Sequence, residues 1–409
     1  MSVATLRLLD LDSSTVADLA ATYKHLHANP ELSMQEHQTA RYLEGRLGAL
    51  GLETIRCGGT GVIGILRNGD GPVVGYRADT DGLPVQENTG LDYASTVTAA
   101  LPDGTEVPVM HACGHDVHMA VALSSASVLA GNRDEWAGTV VFILQPGEET
   151  AAGAKAMVDD GLWDKAPKPE IIYGAHVIGA LAGTVTVAPA AAMAMADSLK
   201  VTVLGKGSHG SMPEHSIDPI VLGASMVVRL QTIVSREVAP RSAAVVTVGT
   251  FHAGLKENII ADRAEFTLNV RTFDPAVRNL VLAAIRRIVT AEAAASAAPE
   301  PIVEQLYRFP ALVNDPAETH QLISELREVL GDQNVIVGKP VMGSEDFGHL
   351  ATAIGVPNVY WRFGSNSDET LAKGTPPANH SPFFAPSIEP TLQTGVRAAI
   401  TAILSKLGN

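Results

Sequence analysis

At 409 residues the chain is longer than one compact core usually sustains, so two domains, or a large domain carrying an insertion, are expected. With 46% hydrophobic and 18% charged residues it reads as globular rather than disordered. A formal charge of -15 and the lack of any basic run exclude nucleic acid and an anionic membrane surface as partners.

The opening segment, Met1 to Leu19, carries Asp10, Asp12 and Asp18 and has neither a basic start nor a long apolar run. It therefore does not read as a signal peptide or an anchor. No later stretch reaches the roughly 18 uninterrupted apolar residues that a bilayer needs, so a soluble, cytoplasmic protein is expected. From Ser14 to Leu50 apolar residues recur at helical spacing on either side of Asn29-Pro30, which predicts two helices joined by a turn. Short apolar runs at Gly61 to Leu66, Pro72 to Arg77 and Gly138 to Leu144 suit strands buried on both faces, with a helix over His118 to Leu129 between the last two. Strands alternating with helices imply an α/β sheet with helices on both sides.

The pattern changes near Asp197. Strands are expected at Ser198 to Gly205, Ala243 to Phe251, Ala264 to Thr272 and Pro301 to Phe309, with helices at Asp218 to Ser235 and Pro275 to Ala295. That order, βαββαβ, is the split arrangement of a ferredoxin-like domain. After Asn314 the α/β pattern returns, with a helix at Glu318 to Leu330, a strand near Gly355 to Arg362 and a closing helix at Leu392 to Leu407. The expected division is 1–196 and 310–409 for a catalytic α/β domain and 197–309 for an insertion, with the cleft between them as the default substrate site.

Chemistry concentrates in His111-Ala112-Cys113-Gly114-His115-Asp116, with His118 three residues further on. A thiolate and an imidazole two residues apart on one loop can reach neighbouring metal ions. Taken singly, a cysteine or histidine is more often a core residue; three histidines and a cysteine within eight residues favour a metal site. With only Cys57 beside it, Cys113 has no disulfide framework to join, which points to a reducing compartment. Gln145-Pro146-Gly147-Glu148-Glu149 follows a buried strand, where one carboxylate can bind metal while its neighbour accepts a proton. Asp79 and Asp81 follow another such strand, where turn-forming aspartates would be an equally good reading. His176 and His380 are unremarkable alone and gain weight as further donors.

In these motifs the chain resembles the co-catalytic metallopeptidase superfamily of aminoacylases and carboxypeptidases, in the branch of hippurate hydrolases, N-acyl-amino-acid amidohydrolases and auxin-conjugate (IAA-amino acid) hydrolases. Its marks are His27-Ala28-Asn29-Pro30-Glu31-Leu32, the Asp79/Asp81 segment, the His111 block, Gly147-Glu148-Glu149, Gly205-Lys206-Gly207-Ser208-His209, Asn258-Ile259-Ile260, Arg271-Thr272, Gly343-Ser344-Glu345-Asp346-Phe347 and His380-Ser381-Pro382. The resemblance implies a three-layer α/β/α metallopeptidase domain with an inserted ferredoxin-like lid and dimerisation domain, and hence a homodimer. It implies that Cys113 bridges two divalent ions, with His115 and His176 completing one sphere and Glu149 and His380 the other. Glu148 would be the general base, with Asp81 beside it as a second catalytic carboxylate. His209 would hold the substrate carbonyl, while Asn258 and Arg271 would touch the substrate, the guanidinium suiting a carboxylate. The family leans towards manganese or zinc, though the donor set also suits cobalt or nickel.

Two departures stand out. Ser208 occupies a position where glycine is common, and His215 sits one place beyond the family's second histidine, which leaves the acyl pocket open. Asp79 stands where other branches carry a metal-binding histidine, so His115 would supply that donor. The expected activity is hydrolysis of N-acyl-amino acids. A dipeptidase or N-carbamoyl-amino-acid hydrolase using the same metals is the near rival, and an inactive, metal-stabilised binding dimer the remote one.

Overall fold

The computed structural model describes residues 7–408; residues 1–6 and 409 lie outside it, and with them the start of the segment on which the leader reading rests. By its internal contacts the chain forms two compact units. The larger comprises Met1–Ala192, Val313–Pro340 and Asp346–Asn409, and the smaller Met193–Leu312 with Val341–Glu345. The short Val341–Glu345 piece, which carries the first three residues of the Gly343-Ser344-Glu345-Asp346-Phe347 motif, belongs with the smaller unit.

The larger unit is built on an eight-stranded mixed sheet, in the order Glu53–Cys57, Gly61–Asn68, Gly138–Gln145, Val73–Asp79, Ile171–Leu181, Asn358–Asn366, Val185–Val187, Val335–Val337. Gly138–Gln145 pairs antiparallel with Gly61–Asn68 and parallel with Val73–Asp79, and every one of its residues is buried, which is why its sequence is apolar without alternation. Helices cover both faces. Tyr173 points one way, its hydroxyl 3.1 Å from Ser405 Oγ on the closing helix Thr391–Leu407. Gly174 faces the other way, where a Cβ would lie 2.8 Å from the ring of Phe347. Helices Ser13–Ala28 and His115–Gly131 pack with the closing helix, whereas the short Gly153–Asp159 and Gly348–Thr352 pack with each other and on the sheet. Asp12 caps Ser13–Ala28 by accepting the Thr15 N–H at 2.7 Å. The expected α/β class with helices on both faces is thus present. The short strands Glu53–Cys57, Val185–Val187 and Val335–Val337 were not foreseen: two are three residues long, and two form sheet edges.

In the smaller unit the sheet runs Ala244–Ala253, Arg263–Thr272, Met195–Leu204, Ile302–Phe309, every neighbouring pair antiparallel. With helices Pro219–Thr232 and Pro275–Ala295 this is the βαββαβ order anticipated. Each helix opens on an aspartate followed by proline: Asp218 accepts from Ile220 N and Asp274 from Ala276 N, while the prolines supply a first-turn residue that needs no N–H partner. Ala264, Phe266, Leu268 and Val270 alternate into a core shared with Leu222, Met226, Ile285 and Val289. The first helix widens into a π turn at Ile233–Glu237, where a continuous helix to Ser235 was expected. Among the described residues no helix is long and apolar enough to cross a membrane.

Candidate metal centre

Most of the site grows from strand ends. Val73–Asp79 and Gly138–Gln145 run parallel with Asp79 opposite Gln145, so the Asp79 to Asp81 and Gln145 to Glu149 segments leave the sheet at the same end of its strands. Cys113 lies in the turn before helix His115–Gly131, closed by Gly114 N–H to His111 O at 3.2 Å. Gly114 has φ 88, and a Cβ there would meet Val177 Cγ1 at 2.4 Å, so both conformation and space require glycine. His176 comes from the Ile171–Leu181 strand, and His380 from a turn in which it holds a left-handed φ of 70 with its N–H donating to Ala112 O at 2.7 Å.

The donor atoms converge. Those of Cys113, His115 and His176 all lie within 4.8 Å of one another, as do those of Cys113, Glu149 and His380, and those of His115, Glu148 and Glu149. Cys113 Sγ is 3.3 Å from Nε2 of both His176 and His380, and His380 Nε2 is 3.3 Å from Glu149 Oε1. Cys113, His115 and Glu148 are buried, while His380 keeps 55% of its side chain exposed.

Hydrogen bonds set the imidazole tautomers. His176 Nδ1 donates to Val177 O at 2.7 Å and His115 Nδ1 to Asp81 Oδ1 at 3.2 Å, so in the neutral form of each ring the lone pair is on Nε2. His118 differs: Nδ1 is bonded to Asp79 Oδ1 and Nε2 accepts the Val177 N–H at 2.8 Å, so both nitrogens are occupied. Asp81 is also fully engaged, accepting from Ser33 Oγ (2.6 Å), Glu148 N (3.2 Å) and Glu149 N (3.1 Å) as well as from His115. Its position is that of an anchor for His115 and the Glu148-Glu149 turn. Behind it, the buried Arg77 guanidinium joins Asp79 Oδ2 (2.7 Å), Gln145 Oε1 (2.9 Å) and Asp346 Oδ1 (3.4 Å).

The electrostatics call for positive charge. Burial, then Glu149 and Glu148, push the Cys113 thiol well above its ordinary pKa. Burial and the neighbouring His118 pull His176 well down. Against burial, Asp79 and Asp81 lift His115 to about 10. His115 Nε2 and Glu149 Oε1 are buried with no hydrogen-bond partner. A soft thiolate, imidazole nitrogens and a carboxylate with unpartnered atoms aimed together fit two divalent cations.

The remaining expected residues lie in the smaller unit. His209 and Asn258 are neighbours there: Ser208–His209 pairs with Ile259–Ile260, and Gly210 N donates to Asn258 O at 2.8 Å. Ser211 N–H donates to His209 Nδ1 at 3.1 Å, leaving the proton on Nε2. Arg271 donates to Asn269 Oδ1 (2.8 Å), Met342 O (2.7 Å) and Ser344 Oγ (3.3 Å). Residues given no role from sequence also shape the site. Glu36 accepts from Gly147 N, Ser33 from the same early loop bonds Asp81, and His27 bridges Asp116 and Glu87 at 2.6 and 3.0 Å. His27 had a visible signal in its His-Ala-Asn-Pro-Glu-Leu motif; Ser33 and Glu36 had none.

Comparison with known proteins places the chain in a family. The chain is 37% identical to a hippurate hydrolase of Campylobacter jejuni over 79% of its own length and 82% of the relative's. It is 35% identical to an N-acetyl-L-cysteine deacetylase of Bacillus subtilis over 87% and 82% respectively. The crystal structure of Bacillus subtilis YxeP, described as a dinuclear metal binding peptidase of family M20, superposes with a TM-score of 0.75 at 31% identity, covering 96% of this chain and 99% of that one. The profile of peptidase family M20/M25/M40 matches residues 75–405, and the chain belongs to that family of dinuclear metal hydrolases acting on C–N bonds.

Proposed function

We propose that the protein hydrolyses N-acyl-amino acids to a free amino acid and a carboxylic acid. The observation that carries this reading is the convergence of Cys113, His115, Glu149, His176 and His380 beside a buried Glu148. Similarity to a hippurate hydrolase and an N-acetyl-L-cysteine deacetylase supports the acyl-amino-acid class.

In this reading Cys113, His115 and His176 would hold one divalent cation, manganese or zinc, and Cys113, Glu149 and His380 a second. When bound, such a pair acidifies water and polarises the scissile carbonyl. The Glu148 carboxylate holds the proton in transit, from the attacking water to the departing nitrogen. Asp81 keeps the His115 ring and the Glu148-Glu149 turn in place. His209, protonated on Nε2, has a donor suited to a carbonyl oxygen, and Asn258 beside it and Arg271 are the substrate contacts. The guanidinium of Arg271 is partly spent on Met342 and Ser344, so its contribution to a substrate carboxylate is smaller than a free fork would give.

A homodimer through the inserted domain is part of the same reading. It is supported by the exposed Ile220, Val221 and Val228 on helix Pro219–Thr232 and by the edge position of Ala244–Ala253.

The test is release of free amino acid from N-acetyl, N-benzoyl and N-carbamoyl amino acids and from dipeptides, with enzyme loaded with manganese or zinc, with and without chelator. Chelator-sensitive release from the acyl compounds is expected. Turnover confined to dipeptides or carbamoyl compounds would move the assignment to a dipeptidase or carbamoylase, and none at all, with metal bound, to the inactive dimer.

A further inference from the structure

Three of the segments that carry the candidate ligands meet at one nitrogen. The Asn379 carboxamide donates to Cys113 O at 2.9 Å and to Val177 O at 3.1 Å. An amide NH2 has two hydrogens, and both are used here. One acceptor is the carbonyl of Cys113 itself, the other belongs to the residue after His176, and the donor precedes His380. The same Val177 carbonyl accepts from His176 Nδ1 at 2.7 Å, so the group that Asn379 fixes is also the one that aims the His176 ring.

The turn around Asn379 has a backbone to hold. His380 lies in the left-handed region at φ 70, a conformation that costs a non-glycine residue about 1 kcal/mol or more. It is kept there by His380 N–H to Ala112 O at 2.7 Å and Ser381 N–H to Ala378 O at 3.1 Å. Asn379 adds the side-chain tie that links this turn to both other segments. Donor atoms that must converge on a cation leave little freedom in how Cys113, His176 and His380 are spaced, and ordering three loose segments on binding would subtract from affinity.

We propose that Asn379 is a positioning residue that presets the spacing of Cys113, His176 and His380 for divalent metal. The proposal rests on the ligand assignment above. Asn379→Asp keeps the shape but turns two donors into acceptors facing carbonyls; Asn379→Ala removes them; Asn379→Ser keeps a single short donor, in case the aspartate variant does not fold. Each is stripped of metal, checked by circular dichroism and thermal melting, and titrated with zinc and with manganese against a chromogenic chelator.

The expected result is folded protein with metal dissociation constants raised roughly 10- to 100-fold, as for other groups that orient metal ligands. The metal concentration giving half-maximal activity should rise by the same factor, and the serine variant should fall between. Wild-type metal affinity in the alanine and serine variants overturns the proposal, and so does a lowered melting temperature of the stripped protein with affinity unchanged, which would mark a purely structural tie. Cys113→Ala is the control: if it binds metal as the wild type does, the ligand assignment falls with the proposal. If it loses metal while the Asn379 variants do not, the positioning role alone falls.

Discussion

Glu36 shows how far the support of the site reaches into the interior. Its Oε1 accepts the N–H of Met34 (2.9 Å) and of Gly147 (2.8 Å), and its Oε2 accepts from the Thr60 hydroxyl. Burial, with Asp81 adding repulsion, raises its pKa from 4.5 to about 7. A folded-state value above the unfolded one means that the native state holds the proton longer. The associated stability is complete below pH 4.5 and is lost as pH rises to about 7. Glu36→Gln keeps an acceptor for both backbone N–H groups and does not titrate. Its stability relative to wild type should therefore improve across that window, by on the order of 2 kcal/mol, in urea unfolding of the stripped proteins at stepped pH. A difference that stays flat from pH 4.5 to 8 removes this account. For the chemistry itself, Glu148→Ala should lower turnover by roughly 10²- to 10⁴-fold with metal retained, whereas Cys113→Ala should lower metal content. Metal analysis alongside rates separates the two, and unchanged turnover in Glu148→Ala would remove the mechanism. The donors were legible in sequence because they crowd into the His111 to His118 run and the Glu148-Glu149 pair. Glu36 and Asn379 were not, since each is one polar residue in a turn whose partners lie far along the chain.

At the scale of elements, legibility followed length and punctuation. Helix Pro275–Ala295 has the bounds expected, because Asp274-Pro275 opens it and its alanine-rich run is unbroken. Three-residue strands such as Val185–Val187 and Val335–Val337 are too short to carry a period, and only pairing creates them. The turn into helix His115–Gly131 was recognisable by its glycine, but the reason for that glycine is tertiary. Gly114→Ala brings a Cβ to 2.4 Å from Val177 Cγ1 at φ 88, so either the turn or the Ile171–Leu181 strand must shift. The variant should lose about 2 kcal/mol or more in denaturant unfolding and bind metal more weakly, since Cys113 and His115 flank the substitution. Wild-type stability together with wild-type metal affinity would show that the contact relaxes without consequence.

The described residues form two cores, one around the eight-stranded sheet and one in the smaller unit, in a chain of net charge -15. If the smaller unit pairs with its counterpart in a second copy, sedimentation velocity should give a dimer across micromolar concentrations. Val228→Glu, on the exposed helix face, should then shift it towards monomer; a wild-type protein that sediments as a monomer throughout would remove the dimer. The two edges of the small sheet differ in a way that bears on this. Ile302–Phe309 carries Glu304 and Arg308, whereas Ala244–Ala253 is ten residues long with no proline and no Asp, Glu, Lys or Arg, interrupted only by a bulge at Gly249. Unpaired backbone on a long uncharged strand is a template for the stacking that builds fibrils. Preparations in which that edge is left open are therefore expected to cloud and lose protein on storage, and a lysine at exposed Thr247 should prolong their shelf life without touching the chemistry.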